Sequence, residues 1–307
     1  MCGAGLTKTS CNWKISVSTI EARASHVVSA MDGPAGDTVV IRPARGWISL
    51  NLKDLWNYGE LLYFLAWRDV KVRYKQTALG VAWAVLQPVM TMVVFTIFFG
   101  RLAKLPSDGI PYPLFSLCAL LPWTLFSKAL GESSNSLVAN SNLISKVYFP
   151  RLIIPVSTVL AGLVDFGIAS VILLVMMVWY GLFPNLAALA VPAFILFAIL
   201  TALAVSLWLS ALNVEYRDVR YTIPFLTQIW MFGSPIAYSA SLIPERWRFL
   251  YGLNPIAGVI EGFRWALLGK AHPEWGLLAV SCAIVLLLLV TGLIYFKRME
   301  RTFADVI

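Results

Sequence analysis

The stretch LGVAWAVLQPVMTMVVFTIFFG, Leu79–Gly100, decides the fold class because it is mostly apolar and carries no charged residue. A helix needs about 20 mostly apolar residues to cross the ~30 Å hydrocarbon core of a bilayer. This run is long enough, and further apolar runs follow it along the chain. The sequence therefore predicts an all-α integral membrane protein with six spans, at residues 79–100, 114–131, 153–180, 186–212, 222–241 and 276–296.

The composition of the whole chain supports the same class. Of its 307 residues, 59% are hydrophobic and only 13% are charged, whereas soluble domains are about 45–50% apolar and about 25% charged. This excludes a compact cytosolic enzyme, a disordered regulator and a secreted disulfide module. The net charge of +8 predicts no nucleic-acid partner, because basic residues in a membrane protein more often mark its cytoplasmic side.

The basic residues near the ends of the spans predict the orientation of the chain. With the amino terminus in the cytoplasm, the bases on the inner side outnumber those on the outer side, which predicts that both termini are cytoplasmic. The inner set is Arg68, Lys71, Arg73, Lys75, Lys146, Arg151, Arg217, Arg220, Lys297, Arg298 and Arg301. The outer set is Arg101, Lys104, Arg246, Arg248, Arg264 and Lys270.

The segments that flank the spans are predicted to have different roles. Residues 1–50 are polar and are expected to form a cytoplasmic tail, as are residues 298–307. Residues 51–77 show apolar positions at helical spacing, and we expect an amphipathic helix at the membrane interface. Its basic end is expected to lie against anionic lipid headgroups. This end consists of Arg68, Lys71, Arg73 and Lys75.

Residues 242–275 are apolar but are broken by Pro244, Pro255 and Pro273. Short re-entrant or interfacial helices suit such a segment better than a span, because irregular backbone at membrane depth must be shielded by protein. Glu261 and Arg264 lie one helical turn apart within it, a spacing that favours a local ion pair.

Motifs of catalysis are missing from the sequence. It contains no GxxxxGK[ST] loop for ATP, no HExxH and no Asp-x-Asp pair for a metal-bound sugar nucleotide. We therefore expect no metal, no cofactor and no enzymatic activity in this chain. A membrane-embedded glycosyltransferase would need such acidic motifs, and a secondary transporter would need internal repeats and several ionisable groups at the midplane.

Six strings, taken together and in this order, resemble one family. They are RDVKVRYKQT (68–77) with LGVAWAVLQP (79–88), PYPLFSL (111–117), SKVYFPR (145–151), ALNVEYRDVRY (211–221) and LNPIAGVIEGFRWALLG (253–269). The combination resembles the membrane subunit, or permease, of ABC-2-type exporters in the O-antigen, teichoic-acid and capsule polysaccharide group. The resemblance extends from about Trp47 to Lys297.

The resemblance implies a subunit that forms a homodimer in the bacterial inner membrane, in contact with membrane lipids. Two copies of a separate ATP-binding cassette subunit would bind ATP and Mg and drive it. The cargo would be a lipid-linked polysaccharide, with O-antigen on undecaprenyl diphosphate favoured. An ABC-2 exporter of another glycan, of lipids or of drugs is the alternative; the strings SKVYFPR and FRWALLG and the aromatic content disfavour lipids and drugs.

Within this resemblance, residues 132–151 form a coupling loop for the ATPase. The loop ends in a short amphipathic piece bounded by Pro150, and an ordinary solvated loop is the alternative. The second loop has alternating charges, which fit packing on the interface helix as well as contact with the ATPase. The coupling candidates are Leu143, Ile144, Lys146, Val147, Tyr148, Phe149, Arg151, Glu215, Arg217, Asp218 and Arg220.

Aromatic residues are the candidates for a sugar path, because rings contact the C–H faces of sugars with few fixed hydrogen bonds. In the family, the first and fifth spans flank the channel. Packing within the bundle is the alternative for every ring. The path candidates are Trp83, Phe95, Trp123, Phe126, Trp230, Phe232 and Tyr238.

Two ionisable residues lie within predicted spans. Asp165 falls near the middle of the third span, where a carboxylate is expected to face protein or water. It can hydrogen-bond across helices or hold Lys128, which can alternatively extend its amine to the interface. Glu261 and Arg264, by resemblance, steady the gate helices at the outer mouth.

Overall fold

The structure is a computed structural model that describes residues 56–75, 80–269, 274–300 and 302–303. The described residues form helices joined by turns, without a strand, as the sequence predicts. The α-helices are α1 (Gly59–Lys75), α2 (Gly80–Phe95), α3 (Tyr112–Ala139), α4 (Ser141–Lys146), α5 (Ile153–Trp179), α6 (Val191–Glu215), α7 (Val219–Phe232), α8 (Glu245–Gly252), α9 (Pro255–Leu268) and α10 (Trp275–Met299). A π-helix (Thr96–Leu102) continues α2, and 3-10 turns cover Leu186–Ala190 and Ala240–Leu242.

Five helices in the described part of the chain are long and apolar enough to cross a membrane. They are Ala82–Leu102, Tyr112–Ala139, Ile153–Trp179, Leu186–Glu215 and Trp275–Met299. Five of the six predicted spans coincide with them to within a few residues, except that α3 continues eight residues beyond the predicted end at 131. Residues 132–139, predicted as the start of the coupling loop, are therefore helical.

The predicted fifth span, residues 222–241, is the one that the structure does not reproduce. α7 ends at Phe232 after 14 residues, a length of about 21 Å at 1.5 Å per residue. The chain then passes through the non-helical Gly233, Ser234 and Pro235, and proline at this point cannot donate a backbone hydrogen bond to continue the helix. α7 is consequently a short helix followed by an irregular segment.

The segment 242–275, predicted to hold short re-entrant or interfacial helices, contains two short helices, α8 and α9, in its described residues up to 269. The start of α9 is set by Asn254, whose side chain accepts from the backbone N–H of Ile256 at 3.3 Å, and by Pro255 at the first helical position. Its end is set by Gly269, which adopts the left-handed conformation at φ 63°. α9 packs against α3, α6 and α10.

The buried residues fall into two hydrophobic clusters along the bundle. The first is the larger and includes the buried apolar residues between 112 and 130 of α3 and between 159 and 177 of α5. The second contains Leu137, Ile144, Phe149, Ile153 and Ile154, together with residues near the ends of α6 and α10. We call the end of the molecule that holds the second cluster the loop end, and the opposite end the far end.

Buried polar side chains separate the two clusters. The Ser133 hydroxyl donates to the carbonyl of Pro155 at 3.3 Å, and the Asn213 amide donates to the carbonyl of Ser134 at 3.0 Å. These bonds join α3 to α5 and to α6. Buried polar groups need such partners because an unsatisfied group costs about 1–3 kcal/mol.

α3 is long enough to cross a bilayer. From Tyr112 to Glu132, α3 rises about 30 Å at 1.5 Å per residue, which equals the usual hydrocarbon thickness. Arg73 of the charged helix α1 pairs with Glu132 at this level. Arg73 also contacts Asp165 near the middle of α5, so it joins α1 to both α3 and α5 at this level.

Candidate functional site

A compact group of charges, which we call the Asp165 cluster, joins three helices. Asp165 Oδ2 lies 2.7 Å from Arg73 Nη1 and 3.2 Å from Lys128 Nζ. The Tyr74 hydroxyl donates to the other carboxylate oxygen of Asp165, and Arg73 also pairs with Glu132. The pairing of Lys128 with Asp165 was one of the options from the sequence, whereas the contribution of α1 was not foreseen.

The Asp165 cluster fixes the end of α1 against α3 and α5. Burial, together with the hydrogen bond to Asp165, raises the pKa of Tyr74 well above its usual value, so this hydroxyl keeps its proton. Among the four basic residues predicted for the interface helix, Arg73 points into this cluster. Arg68 pairs with the neighbouring Asp69 at 2.8 Å, Lys71 lies over the Trp67 ring at 5.6 Å, and Lys75 is exposed.

A second polar group surrounds Arg264 at the far end of the bundle. Arg264 is only 2% exposed; its guanidinium lies 3.0 Å from Glu261 and 3.6 Å from the centre of the Phe115 ring. It also donates to the backbone carbonyls of Ile236 and Tyr238. The predicted local pair of Glu261 and Arg264 is present, and it holds the irregular segment after α7 against α3 and α9.

The same segment is held from its other side by residues that the sequence did not single out. Asp108 accepts from the hydroxyls of Ser239 at 2.5 Å and Ser241 at 3.2 Å, and Tyr112 donates to the carbonyl of Ala237 at 2.6 Å. Asp108 has a φ of 52°, a left-handed conformation that Asp tolerates better than most residues. Two loops far apart in sequence are thus joined at the far end.

Tyr238 and Tyr251 complete this far-end group. The Tyr251 hydroxyl donates to that of Tyr238 at 3.1 Å. Burial raises the pKa of Tyr251 well above its usual value, and this hydrogen bond raises it further. Tyr238 is half-buried, so the predicted path residue at this position serves in part as a packing and hydrogen-bonding partner.

The seven predicted path aromatics divide into two sets. Phe95, Trp123 and Phe126 are buried within the protomer. Trp230 is half-buried, with its ring edge-on to Phe126 at 5.1 Å and its indole N–H donated to Asn254.

Trp83 and Phe232 keep open ring faces. They are 57% and 59% exposed, respectively. Trp83 belongs to an exposed apolar side of α2, and Phe232 to an exposed apolar side of α7 that also carries Phe225 and Ile229. The two helices predicted to flank the channel are therefore the ones that present free aromatic rings from the predicted set.

The coupling candidates at the loop end also divide by burial. Ile144 and Phe149 are buried in the second cluster, where their side chains pack within this chain. Leu143 is partly buried and packs on the same cluster. The exposed positions are Lys146, Val147 and Tyr148, and Tyr148 is 74% exposed. We call residues 146–148 the exposed turn.

Charged residues of the second loop are exposed as well. Glu215, Arg217, Asp218 and Arg220 all face solvent. Arg220 stacks over the neighbouring Tyr221 ring at 4.7 Å and donates to its hydroxyl. The α6 and α7 helices meet at this loop, which lies at the loop end because Val214 belongs to the second cluster.

Arg151 has a different role from the exposed turn. Its backbone N–H donates to Glu300 Oε1 at 3.1 Å, and its guanidinium donates to the backbone carbonyl of Glu300. The guanidinium also lies 6.0 Å from the Phe303 ring. Glu300 and Phe303 fall in the segment predicted as a free cytoplasmic tail, and no periodic pattern in the sequence marks them.

Residues 60–268 match the ABC-2 type transporter family. The chain belongs to this family. The matched region runs from α1 to the end of α9 and thus contains the Asp165 cluster, the exposed turn and the far-end group. The resemblance of the six strings is therefore confirmed.

Several curated ABC-2 relatives are similar over most of their length. The O-antigen export system permease protein RfbA of Myxococcus xanthus is 28% identical over 257 residues, which cover 83% of this chain and 98% of that protein. The protein of the same name from Klebsiella pneumoniae is 27% identical over 263 residues, covering 84% and 100%. The polysialic acid transport protein KpsM of Escherichia coli is 26% identical, covering 76% and 91%.

The ABC-2 membership and the five candidate spans identify a multi-pass membrane protein. Within the described part of the chain, no three His, Cys, Asp or Glu side chains form a group suited to a metal ion. The polar groups that the structure brings together are instead ion pairs and hydrogen bonds between helices. These positions hold the bundle together at its two ends.

Proposed function

We propose that the chain is the membrane-spanning subunit of an ATP-driven exporter of a lipid-linked polysaccharide. The cargo is O-antigen on undecaprenyl diphosphate, carried from the cytoplasmic side across the bacterial inner membrane. The observation that carries this proposal is the similarity to two O-antigen export permeases over 98–100% of their length. Capsular polysaccharide is the alternative cargo, favoured by the similarity to KpsM.

The loop end is proposed to be cytoplasmic and to bind an ATP-binding cassette subunit. The exposed turn supplies Val147 and Tyr148 as contact area, and Arg217, Asp218 and Arg220 supply charges nearby in the second loop. The basic residues of α1 lie on the same side, as expected for the cytoplasmic face. ATP and Mg are bound by that partner, and its hydrolysis drives motion of this subunit.

The path for the glycan is proposed to run between two copies of the chain, along α2 and α7. α7 is too short to span a bilayer by itself, and only Ile223 of its residues is fully buried. Its exposed side mixes Phe225, Ile229 and Phe232 with Gln228 and Thr222. Polar groups and irregular backbone at this depth need protein or water around them rather than lipid, which a second copy and a water-filled path provide.

Reconstituted transport tests this function directly. The chain and its ATP-binding subunit are placed in proteoliposomes with undecaprenyl diphosphate-linked O-antigen. We expect glycan-stimulated ATP hydrolysis and glycan transfer that requires ATP. If capsular glycan stimulates hydrolysis and is transferred while O-antigen is not, the alternative cargo is identified. No response to either glycan would refute polysaccharide export.

Two ring deletions test the path. Trp83→Ala and Phe232→Ala should each lower transfer by about threefold to tenfold, since a ring contact of about 1 kcal/mol corresponds to such a factor. The control is Trp179→Ala, which removes a still more exposed ring, 85% exposed, at the far end of α5. Equal transfer by all three variants, at equal assembly with the ATP-binding subunit, would exclude these two rings from the path.

A further inference from the structure

The segment that follows α10 packs into the loop end instead of leaving the bundle. Phe303 is 0% exposed, and its ring meets Phe296 of α10 edge-on at 5.3 Å. Both rings belong to the second cluster, which also contains Ile144 and Phe149. One small core therefore includes residues on both sides of the exposed turn and a residue from the other end of the spanning domain.

Polar contacts add directional restraint to this packing. Glu300 uses one carboxylate oxygen to accept the backbone N–H of Arg151, and its other oxygen lies 2.6 Å from Lys297 Nζ. The Arg151 guanidinium donates in return to the Glu300 carbonyl. Lys297 orients the carboxylate, and a hydrogen bond to a charged acceptor is stronger than one between neutral groups. The backbone just after Phe149 is thereby fixed to the end of α10.

The exposed turn is held at both ends by these contacts. Ile144 anchors it before residue 146, and Phe149 with Arg151 anchors it after residue 148. Only four residues, 145–148, lie between Ile144 and Phe149, so their backbone has little freedom to move while the anchors stay in place. Val147 and Tyr148 are presented outward from this frame.

We propose that Glu300 and Phe303 are positioning residues that hold the exposed turn in the orientation that the ATP-binding subunit recognises. This inference rests on the proposed function, because it assigns the exposed turn to that partner. If the recognised orientation is populated only part of the time, the apparent affinity falls by the same fraction. Loss of either anchor therefore weakens association without removing any residue that touches the partner.

The test uses the full chain in lipid nanodiscs with its ATP-binding subunit. The variants Glu300→Ala and Phe303→Ala remove the anchors, and Tyr148→Ala removes the proposed contact itself. Glu300→Gln keeps an oxygen that accepts the Arg151 N–H, and Phe303→Leu keeps apolar bulk. Arg298→Gln, which changes an exposed charge on the last turn of α10, is the matched control.

Two quantities are measured for each variant. The first is the dissociation constant of the ATP-binding subunit. The second is the mobility of a spin label on Val147→Cys, in a background whose native cysteines are replaced. We expect Glu300→Ala and Phe303→Ala to mobilise the label and to raise the dissociation constant about tenfold, while Glu300→Gln, Phe303→Leu and Arg298→Gln remain close to the parent.

The outcomes separate this inference from the function on which it rests. An immobile label and an unchanged dissociation constant in Glu300→Ala and Phe303→Ala, with Tyr148→Ala weakened, would overturn the positioning role alone. If Phe303→Ala fails to fold, the same result in Glu300→Ala overturns it. An unchanged dissociation constant in Tyr148→Ala would instead refute the proposed contact, whatever the label reports.

Discussion

The substitution Gly262→Ala tests how α9 is seated in the bundle. Gly262 lies where α9 crosses α6, and a Cβ atom at this position would lie 2.0 Å from Cε1 of Phe194 and 2.6 Å from Cδ1 and Cζ. Unbonded carbon atoms prefer separations of about 3.5–4.0 Å. The Phe194 ring must therefore move by about 1.5 Å to admit a single methyl group.

The cost of this movement follows from the surroundings of the ring. Phe194 packs edge-on against Trp265 at 6.3 Å, so moving the ring disturbs a second aromatic contact. Overpacking of this kind typically costs about 1–3 kcal/mol. Since Phe194 is only partly buried and can shift outward, we expect about 2 kcal/mol, or a lowering of Tm by about 4–8 °C for a domain of this size.

Thermal unfolding of the purified protein in nanodiscs measures the effect. The control is Gly131→Ala in α3, where no atom lies within 4 Å of the added Cβ and the better helix propensity of alanine favours the variant. The double variant Gly262→Ala/Phe194→Ala removes the obstructing ring, so its loss of stability should be smaller than the sum of the two single losses. Strictly additive losses, or a Gly262→Ala variant as stable as Gly131→Ala, would contradict the close contact.

Two further predictions concern the polar groups at the ends of the bundle. Asp165→Asn should destabilise the protein by about 2 kcal/mol, because it removes the counter-charge that Arg73 and Lys128 share at a partly buried site. Thermal unfolding measures this loss. The control is Asp218→Asn, at an exposed position. Asp108→Ala should speed hydrogen exchange in residues 236–243, because Ser239 and Ser241 lose their acceptor. The control is Asp218→Ala, and equal exchange in the two variants would argue that Asp108 does not hold this segment.

The spans that could be predicted are those that hydropathy alone identifies as crossing helices. Leu79–Gly100 and the run at 276–296 contain almost no polar residue, so length and composition suffice to predict a crossing helix. The run at 222–241 is also uncharged but carries six Ser, Thr and Gln residues, and Gly233 and Pro235 follow the end of α7 at Phe232. The breaking residues were visible in the sequence, whereas the place where the helix stops depends on the packing that satisfies the backbone beyond it.

Contacts were predictable when they were local and unpredictable when they were not. Glu261 and Arg264 are three residues apart, so helical spacing alone predicts their pair. Arg73 and Asp165 are separated by 92 positions. Nothing in a single sequence indicates that α1 ends beside the middle of α5. The link of Arg151 to Glu300 spans 149 positions and was missed for the same reason.

Burial distinguishes the aromatic and coupling candidates from one another, and the sequence did not predict it. Phe126 and Trp83 look alike in the sequence because both lie in apolar spans, yet α3 is central and α2 is peripheral. Likewise Phe149 and Tyr148 are neighbours in one short loop, but only Tyr148 faces outward. Which side of an apolar helix or loop is covered depends on its neighbours, and hydropathy carries no information about that.

α3 connects the two ends of the molecule. Tyr112 and Phe115 at its start hold the segment after α7 and the Arg264 guanidinium, and Lys128 and Glu132 in its later turns belong to the Asp165 cluster. Only Asn140 separates its end from α4, which leads into the exposed turn. One helix thus takes part in the polar groups at both ends and leads, after Asn140, toward the exposed turn. Pro122, midway along it, is the position where that helix can bend, because proline removes a hydrogen bond from the helix interior.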